Sequence, residues 1–171
     1  GEISKVCAGL EVASTQRDEE QLELLLQQAE VLGMTSPDYV DEGEIVSIAQ
    51  EVLGYVQETR RELEEAAAAV NEQALAHWIS YAEQLAYSSA VTLRCIDLLE
   101  RIVAANALLE QAVKVVELSD LNAANDAADA INLRTELVDK VKELLALDET
   151  KFLQAQLRAA NLLPDRQRVL Q

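Results

Sequence analysis

His77 is the one histidine of the 171-residue chain, and its imidazole is the first side chain that could carry chemistry. A helical histidine phosphotransfer protein needs a lysine and a glycine soon after its phosphorylated histidine. Here Trp78, Ile79 and Ser80 follow instead. The sequence therefore favours a histidine on a helix surface or half-buried against it over a phosphotransfer site.

The acidic segment that starts at Asp38 has some features of a calcium loop. With Asp38 as position 1, Gly43 falls at position 6, where such a loop requires glycine. Val40 then falls at position 3 and Ala49 at position 12, and neither side chain carries the oxygen ligand needed there. The segment instead predicts an acidic cap for a helix that begins near Glu44, because carboxylates stabilise the positive end of the helix dipole.

The other reactive residue types do not combine into a catalytic or metal-binding group. Cys7 and Cys95 each lie in an apolar helical context, which predicts buried, reduced thiols. One histidine and two distant cysteines do not form a zinc site of familiar spacing. A di-iron bundle needs glutamate three residues before each histidine ligand, and that position before His77 is Ala74. We therefore expect no enzyme activity, no metal and no cofactor.

Acidic residues are concentrated in the N-terminal part of the chain. The net charge is −17, of which −13 belongs to residues 1–72, with 17 acidic and four basic residues. This balance disfavours nucleic acid and anionic membranes and favours a basic protein partner, although a solvated helix face explains the same charges. The residues predicted to contact that partner are six carboxylates and the tryptophan, a frequent interface anchor: Asp38, Asp41, Glu42, Glu44, Glu58, Glu62 and Trp78.

Few residues of this chain interrupt regular structure. Five glycines and two prolines amount to about 4% of the residues, against about 12% in average proteins. Aromatic residues are only 4%, so the core must be aliphatic. Apolar residues recur with helical spacing, two-residue alternation is absent, and no apolar stretch is long enough to span a membrane. The sequence thus predicts an all-α protein without strands.

Four stretches of the chain share one spacing of apolar and small residues. Their slots recur at intervals of four, three and three residues, which places them on one helix face. The third slot is alanine each time, which predicts a close crossing by another helix. The second slot is polar in the last two stretches. The stretches begin at Leu22, Leu75, Leu121 and Phe152, and their alanines are Ala29, Ala82, Ala128 and Ala159.

Each stretch predicts a short helix, then a turn, then a longer helix that leads into the next unit. The first slots are 53, 46 and 31 residues apart, so the last long helix should lose about four turns. We expect one all-helical repeat domain over residues 1–171, an α-solenoid-like array cut from a longer protein. The alternative is an antiparallel bundle of long, uninterrupted helices. Units begin near 18, 71, 119 and 148, with candidate N-caps Asp18, Asn71, Ser119 or Asp120, and Asp148, and the last short helix ends before Pro164.

The first unit reads Leu22-x3-Leu26-x2-Ala29-x2-Leu32-Gly33-Met34, followed by Ser36-Pro37 and an apolar second helix. It resembles a helical repeat of large proteins from single-celled eukaryotes, found in tails of some unconventional myosins and in flagellar or cytoskeletal proteins. The resemblance implies a non-enzymatic scaffold or protein-interaction segment of a cytoskeletal or trafficking protein in the cytoplasm. It implies no functional residues, because the marked positions are packing positions. The alternative function is a helical bundle that binds an apolar small molecule or lipid.

Overall fold

The computed structural model describes residues 1–162, so Pro164 lies outside the described residues. Eight helices account for 82% of the described residues, which contain no strand. The prediction of an all-α fold is therefore confirmed. The helices are α1 (Glu2–Gln16), α2 (Glu19–Val31), α3 (Val40–Ala68), α4 (Glu72–Gln84), α5 (Ala90–Val115), α6 (Leu118–Ala130), α7 (Glu136–Leu145) and α8 (Glu149–Leu162).

Helix lengths follow the predicted repeat. The helices α2, α4 and α6 have 13 residues each and α8 has 14, whereas α3 and α5 have 29 and 26. The helix α7 has only 10 residues, which accounts for the short last interval of the repeat. The chain leaves helical geometry between α3 and α4 and again between α5 and α6. The helices are therefore interrupted at these points, and their packing is consistent with a helical repeat or with a bundle.

The turn after each of the first three short helices has one common backbone geometry. A left-handed residue stands at the same repeat position, with φ of 67° at Gly33, 56° at Ala86 and 55° at Asn132. The next residue is buried and donates its backbone N–H to the carbonyl of the repeat alanine, as in a Schellman motif. These bonds join Met34 to Ala29 at 3.0 Å, Tyr87 to Ala82 at 2.9 Å and Leu133 to Ala128 at 2.9 Å. The repeat is thus visible in the backbone as well as in the sequence.

The step from each of the helices α1, α3 and α5 to the following short helix contains another left-handed residue. These residues are Arg17 with φ of 57°, Val70 with 50° and Val116 with 56°. A left-handed backbone is unfavourable for β-branched residues, so Val70 and Val116 store strain that the packing of the flanking helices must offset. The sequence gives no warning of this geometry, because valine is among the residues least expected there.

Two predicted N-caps are confirmed by hydrogen bonds. Asp18 Oδ1 accepts the backbone N–H of Gln21 at 3.1 Å, and Asp148 Oδ1 accepts that of Lys151 at 2.9 Å. The prediction for α6 is wrong, because its N-cap is Glu117 and both Ser119 and Asp120 lie inside the helix. The left-handed Val116 has already ended α5, so α6 starts sooner than the capping preferences of serine and aspartate suggest.

The helices pack into two compact units. One consists of Gly1–Ala68 with Gln73–Cys95, and the other of Ala69–Glu72 with the chain from Ile96 onward. In the first unit, α1, α2 and α3 pack around an aliphatic cluster that includes the fully buried Leu10 and Leu22. In the second unit, α6 packs on α7 and α7 on α8. That residues 1–171 form one repeat domain stays a prediction.

All four repeat alanines are buried. Three of them have no exposed surface, and the fourth is 7% exposed. A side chain this small allows neighbouring backbones to approach, so larger residues at these positions would collide with their surroundings. The alanines with their helices are Ala29 in α2, Ala82 in α4, Ala128 in α6 and Ala159 in α8.

Candidate functional site

The seven residues predicted to contact a partner do not form one patch. Five of the six carboxylates are on α3, but a rise of 1.5 Å per residue separates Asp41 from Glu62 by about 32 Å. Asp38 precedes this helix, and Trp78 lies on α4. The carboxylates are exposed except Glu42 and Glu62, which are half-buried. Their role in binding stays a prediction.

The start of α3 differs from the predicted one. The helix begins at Val40, four residues before Glu44. Gly43 does not delay the start: its N–H donates to the carbonyl of Tyr39 at 3.0 Å, and one glycine costs a helix only about 1 kcal/mol. Asp41 and Glu42 therefore occupy the first turn, where the helix dipole favours carboxylates.

Trp78 is half-buried within an aromatic row on α4. Its ring lies edge-on to His77, with centroids 5.2 Å apart, and to Tyr81, with centroids 5.4 Å apart. Trp78 and Tyr81 thus share a helix face, as their spacing predicts. Because its neighbours already restrict the indole, this side chain would lose little rotamer freedom on contact with a partner.

The exposed side of α3 is organised in columns of residues spaced seven apart. Its central column is a line of four exposed glutamates: Glu44, Glu51, Glu58 and Glu65. On one side lie Ile48 and Tyr55, which are 49% and 42% exposed. On the other side lie the exposed Ser47 and Gly54. We call these eight residues the α3 face.

The arginines of α3 do not neutralise this column of glutamates. Arg60 binds the carboxylate of Glu19 on α2 through Nε and one terminal nitrogen, with contacts of 2.9–3.1 Å. This hydrogen bonding and the charge of Glu19 raise the pKa of the Arg60 guanidinium above its ordinary value. Arg60 also contacts Glu64 at 3.3 Å, and Arg61 lies 3.7 Å from Glu62. Within residues 1–162, the four glutamates of the column have no ion-pair partner.

Sequence reasoning found only half of the column. It selected Glu44 and Glu58 and missed Glu51 and Glu65. The seven-residue spacing of identical acidic residues was the signal that could have identified the set. Net charge over a segment does not contain that signal, because it ignores which side of the helix each carboxylate occupies.

A groove in the second unit has the opposite charge. Its volume is about 630 Å³, and aliphatic side chains of α5, α7 and α8, together with Val116, form much of its lining. Lys114, Lys140 and Arg158 also line it, and none of them has an ion-pair partner within residues 1–162. The side-chain amide of Gln156 donates to the carbonyl of Val116 at 3.0 Å and so ties α8 to the end of α5. Such a groove suits an apolar ligand with an anionic group.

A second cleft in the same unit is polar. It measures about 620 Å³, and Glu72, Glu110 and Glu136 contribute carboxylates to it. The amide of Asn106 donates to Glu72 at 3.0 Å, and the hydroxyl of Thr135 accepts the N–H that it caps at the start of α7. The described residues that line the cleft include no histidine, cysteine or cation.

Both cysteines are free thiols. Cys95 is buried, with Sγ 3.5 Å from the carbonyl oxygen of Leu63, and burial raises the pKa of its thiol. Cys7 is half-buried, contrary to the prediction of a buried thiol. Burial and then the charges of Glu42 and Glu11 raise the pKa of the Cys7 thiol. Both groups are therefore protonated at neutral pH and are weak nucleophiles.

Two other kinds of feature, a metal site and a membrane-spanning helix, are absent from residues 1–162. In the described part of the chain, no three histidine, cysteine or carboxylate side chains converge in a way that would hold a metal ion. No helix within the same residues combines the length and apolarity needed to cross a membrane. The described features with a defined charge are therefore the α3 face, the cationic groove and the polar cleft.

The chain is similar to part of a known myosin. It is 33% identical over 153 residues to the high molecular weight form of myosin-1 from Acanthamoeba castellanii. The alignment covers 90% of this chain, and the chain spans 9% of that protein. No family model and no solved structure matches the chain. The predicted resemblance is confirmed in part: 153 residues of the chain are similar to a segment of a myosin-1.

Proposed function

We propose that the chain is a non-enzymatic helical scaffold that binds a protein partner within a larger cytoskeletal or trafficking protein of the cytoplasm. The observation that carries this proposal is the alignment with a myosin-1 over 90% of the chain. Similarity over this much of the chain extends beyond any single helix pair, which supports a role for the array rather than for one of its helices. An array of helix pairs is suited to present surfaces to other proteins.

The local construction of each unit supports a scaffold role. Consecutive helices are joined by short connections, of which the one between Val31 and Val40 is the longest in residues 1–162. Three of the connections are closed by Schellman hydrogen bonds, and several by buried side chains. Such connections restrict the angle between the helices that they join, so side chains on their surfaces keep fixed distances.

The chemistry of the reactive side chains supports the absence of catalysis. The pKa values of both thiols are raised, and in the polar cleft the carboxylate of Glu72 accepts a hydrogen bond from the amide of Asn106. General acid–base catalysis needs a group positioned against a reacting atom, with a partner of matched acidity. His77 instead lies exposed on α4 beside Trp78.

A cell fractionation experiment tests this proposal. The full chain with a fluorescent tag is expressed in Acanthamoeba castellanii, and the detergent-insoluble cytoskeletal fraction is compared with the soluble fraction. We expect severalfold enrichment of the tagged chain in the insoluble fraction over the tag alone. Ala82→Trp should lower the enrichment by destabilising the fold, whereas Ala76→Trp, at an exposed position of the same helix, should retain it. Equal distribution of chain and tag would contradict a cytoskeletal role.

The cationic groove favours a second candidate function, which is binding of a long-chain fatty acid or a related anionic amphiphile. Its aliphatic lining fits the acyl chain, and Lys140 and Arg158 attract the carboxylate. A fluorescent fatty acid should bind the wild-type chain and should lose at least about tenfold in affinity to Lys140→Glu/Arg158→Glu. The matched control Lys151→Glu/Arg101→Glu changes the net charge equally outside the groove. An equal loss in both variants would remove this candidate.

A further inference from the structure

We propose that the α3 face binds a basic amphipathic helix of a partner protein, which lies along α3 with a lysine or arginine every seven residues. This inference rests on the proposed interaction function, and it adds the chemistry of the partner and the surface that receives it. Three independent features of the face support it: a line of unpaired charge, two exposed apolar side chains, and an unfilled position on the helix.

The line of charge sets the direction and the spacing of the partner. Successive glutamates of the column are about 10.5 Å apart along α3, somewhat more than the screening length of about 8 Å at physiological salt and well below the one of about 30 Å at 0.01 M salt. At low salt their potentials therefore overlap into a continuous negative strip. A second helix that carries cations at seven-residue intervals has the same spacing, and a slight left-handed supercoil keeps the two rows in contact. Complementary charge of this kind fixes register and speeds association.

Two exposed apolar residues of the α3 face provide surface that a partner helix can bury. Ile48 and Tyr55 flank Glu51 at one helical turn on either side, and each leaves over two-fifths of its surface exposed. One exposed apolar residue is ordinary in a monomer, but these two lie seven residues apart in one column beside the glutamates. A partner helix that carries leucine or isoleucine next to its cations covers both. Tyrosine is also a frequent anchor at protein interfaces.

Gly54 has no side chain, so the backbone of α3 is exposed at this position. Glycine in the middle of a helix costs about 1 kcal/mol relative to alanine, so its presence needs a reason. The chain's own packing supplies none, because a Cβ at this position would meet no atom within 4 Å. Ser47, seven residues earlier in the same column, is also small. Ser47 and Gly54 together leave room for side chains of a second helix to approach Glu51 and Glu58 closely.

A peptide titration tests the assignment. The probe is a fluorescein-labelled peptide of three heptads with leucine at one seam position and lysine at the other, and its control is a scrambled peptide of the same composition. Fluorescence anisotropy should show that the full chain binds the heptad peptide at least about tenfold more tightly than the scrambled one at low salt. Raising the salt to physiological strength and beyond should weaken the heptad complex steeply.

Two variants of the α3 face and two matched controls locate the binding. Glu51→Lys/Glu58→Lys should remove the preference for the heptad peptide, whereas Glu100→Lys/Glu110→Lys makes the same change in net charge on α5 and should keep it. Ile48→Ser/Tyr55→Ser should weaken the salt-resistant part of the affinity. Its control is Leu93→Ser/Leu108→Ser, which replaces residues of similar exposure on α5. All four variants change exposed or half-exposed positions, and circular dichroism verifies that each remains helical.

Each outcome separates the surface assignment from the proposed function. Equal binding of the two peptides, or equal loss in the α5 control, would overturn the assignment while cytoskeletal enrichment could persist. If the tagged chain is not enriched in the cytoskeletal fraction but still binds the heptad peptide, only the proposed cellular role is overturned. Sedimentation equilibrium of the chain alone tests whether a second copy binds the α3 face. A dimer that dissociates in the Glu51→Lys/Glu58→Lys variant would show that this face mediates self-association, and it would overturn the assignment.

Discussion

The helices α3 and α5 occupy the same place in consecutive repeats, yet their exposed sides have little in common. Their equivalent residues are 46 positions apart, and the pairs Val56 with Ile102 and Leu63 with Leu109 are all fully buried. The exposed glutamates of α3 correspond instead to residues of mixed type, in the order of the column: Ala90, Asp97, Ala104 and Gln111.

The flanking columns differ in the same way. Ile48 and Tyr55 of α3 correspond to Arg94 and Arg101 of α5, and Arg101 pairs with Asp97 at 3.2 Å. The α5 surface thus neutralises part of its own charge, whereas the glutamates of α3 stay unpaired within residues 1–162. Packing constrains the buried side of a repeat helix and leaves the exposed side free to diverge, so a shared core says nothing about shared binding.

The largest expected effect tests whether the two buried sides are equivalent. Leu63→Ala and Leu109→Ala each remove a fully buried side chain, so each should lower the free energy of unfolding by about 2–5 kcal/mol. Chemical denaturation monitored by circular dichroism measures both. Leu93→Ala, at a position 62% exposed on α5, is the control and should cost less than about 1 kcal/mol. A small loss at either buried leucine would end the equivalence.

The next effect concerns the alanines that are common to the repeats. Ala29→Trp, Ala82→Trp and Ala128→Trp should each lower the free energy of unfolding by about 1–3 kcal/mol, because the added ring has no space. Thermal melts compare them with Ala76→Trp at an exposed position of α4. Unchanged melting temperatures in all three buried variants would show that the shared spacing is not a packing register.

Smaller changes in stability, of opposite sign, are expected for glycine substitutions at the left-handed residues that follow α3 and α5. Val70→Gly relieves left-handed strain at a half-buried position and should stabilise the chain by about 0.5 kcal/mol. Val116→Gly relieves the same strain but removes a buried side chain, so it should destabilise by about 1 kcal/mol. Denaturant midpoints measure both. Equal signs would mean that strain at these steps does not govern their stability.

The smallest effect compares charge on the two exposed sides. At low salt, Glu51→Lys/Glu58→Lys should raise the free energy of unfolding by about 0.5 kcal/mol, because it lowers the negative charge concentrated along α3 and places a cation four residues before Glu62, which outweighs the cation placed three residues before Arg61. Glu100→Lys/Glu110→Lys should not, since it places a cation four residues before Lys114. High salt should erase the difference between the two variants. A difference that persists there would point to a packing effect rather than to charge.

The sequence by itself determined the helical class, the order of short and long helices, and the interval at which they recur. Helical periodicity and the spacing of Leu22, Ala29 and their equivalents are local properties, so one chain is enough to reveal them. The same holds for caps such as Asp18, whose side chain reaches only as far as the first turn of the next helix.

Only the tertiary structure decided which charges and which surfaces are available. Arg60 binds Glu19, a residue 41 positions away, and no local pattern reports such a pairing. The left-handed steps at Val70 and Val116 oppose the local preference of valine, so the sequence does not predict them. The spacing of the column is present in the sequence, but exposure and pairing depend on contacts between distant parts of the chain, so only the assembled helices show that its glutamates are exposed and unpaired within residues 1–162.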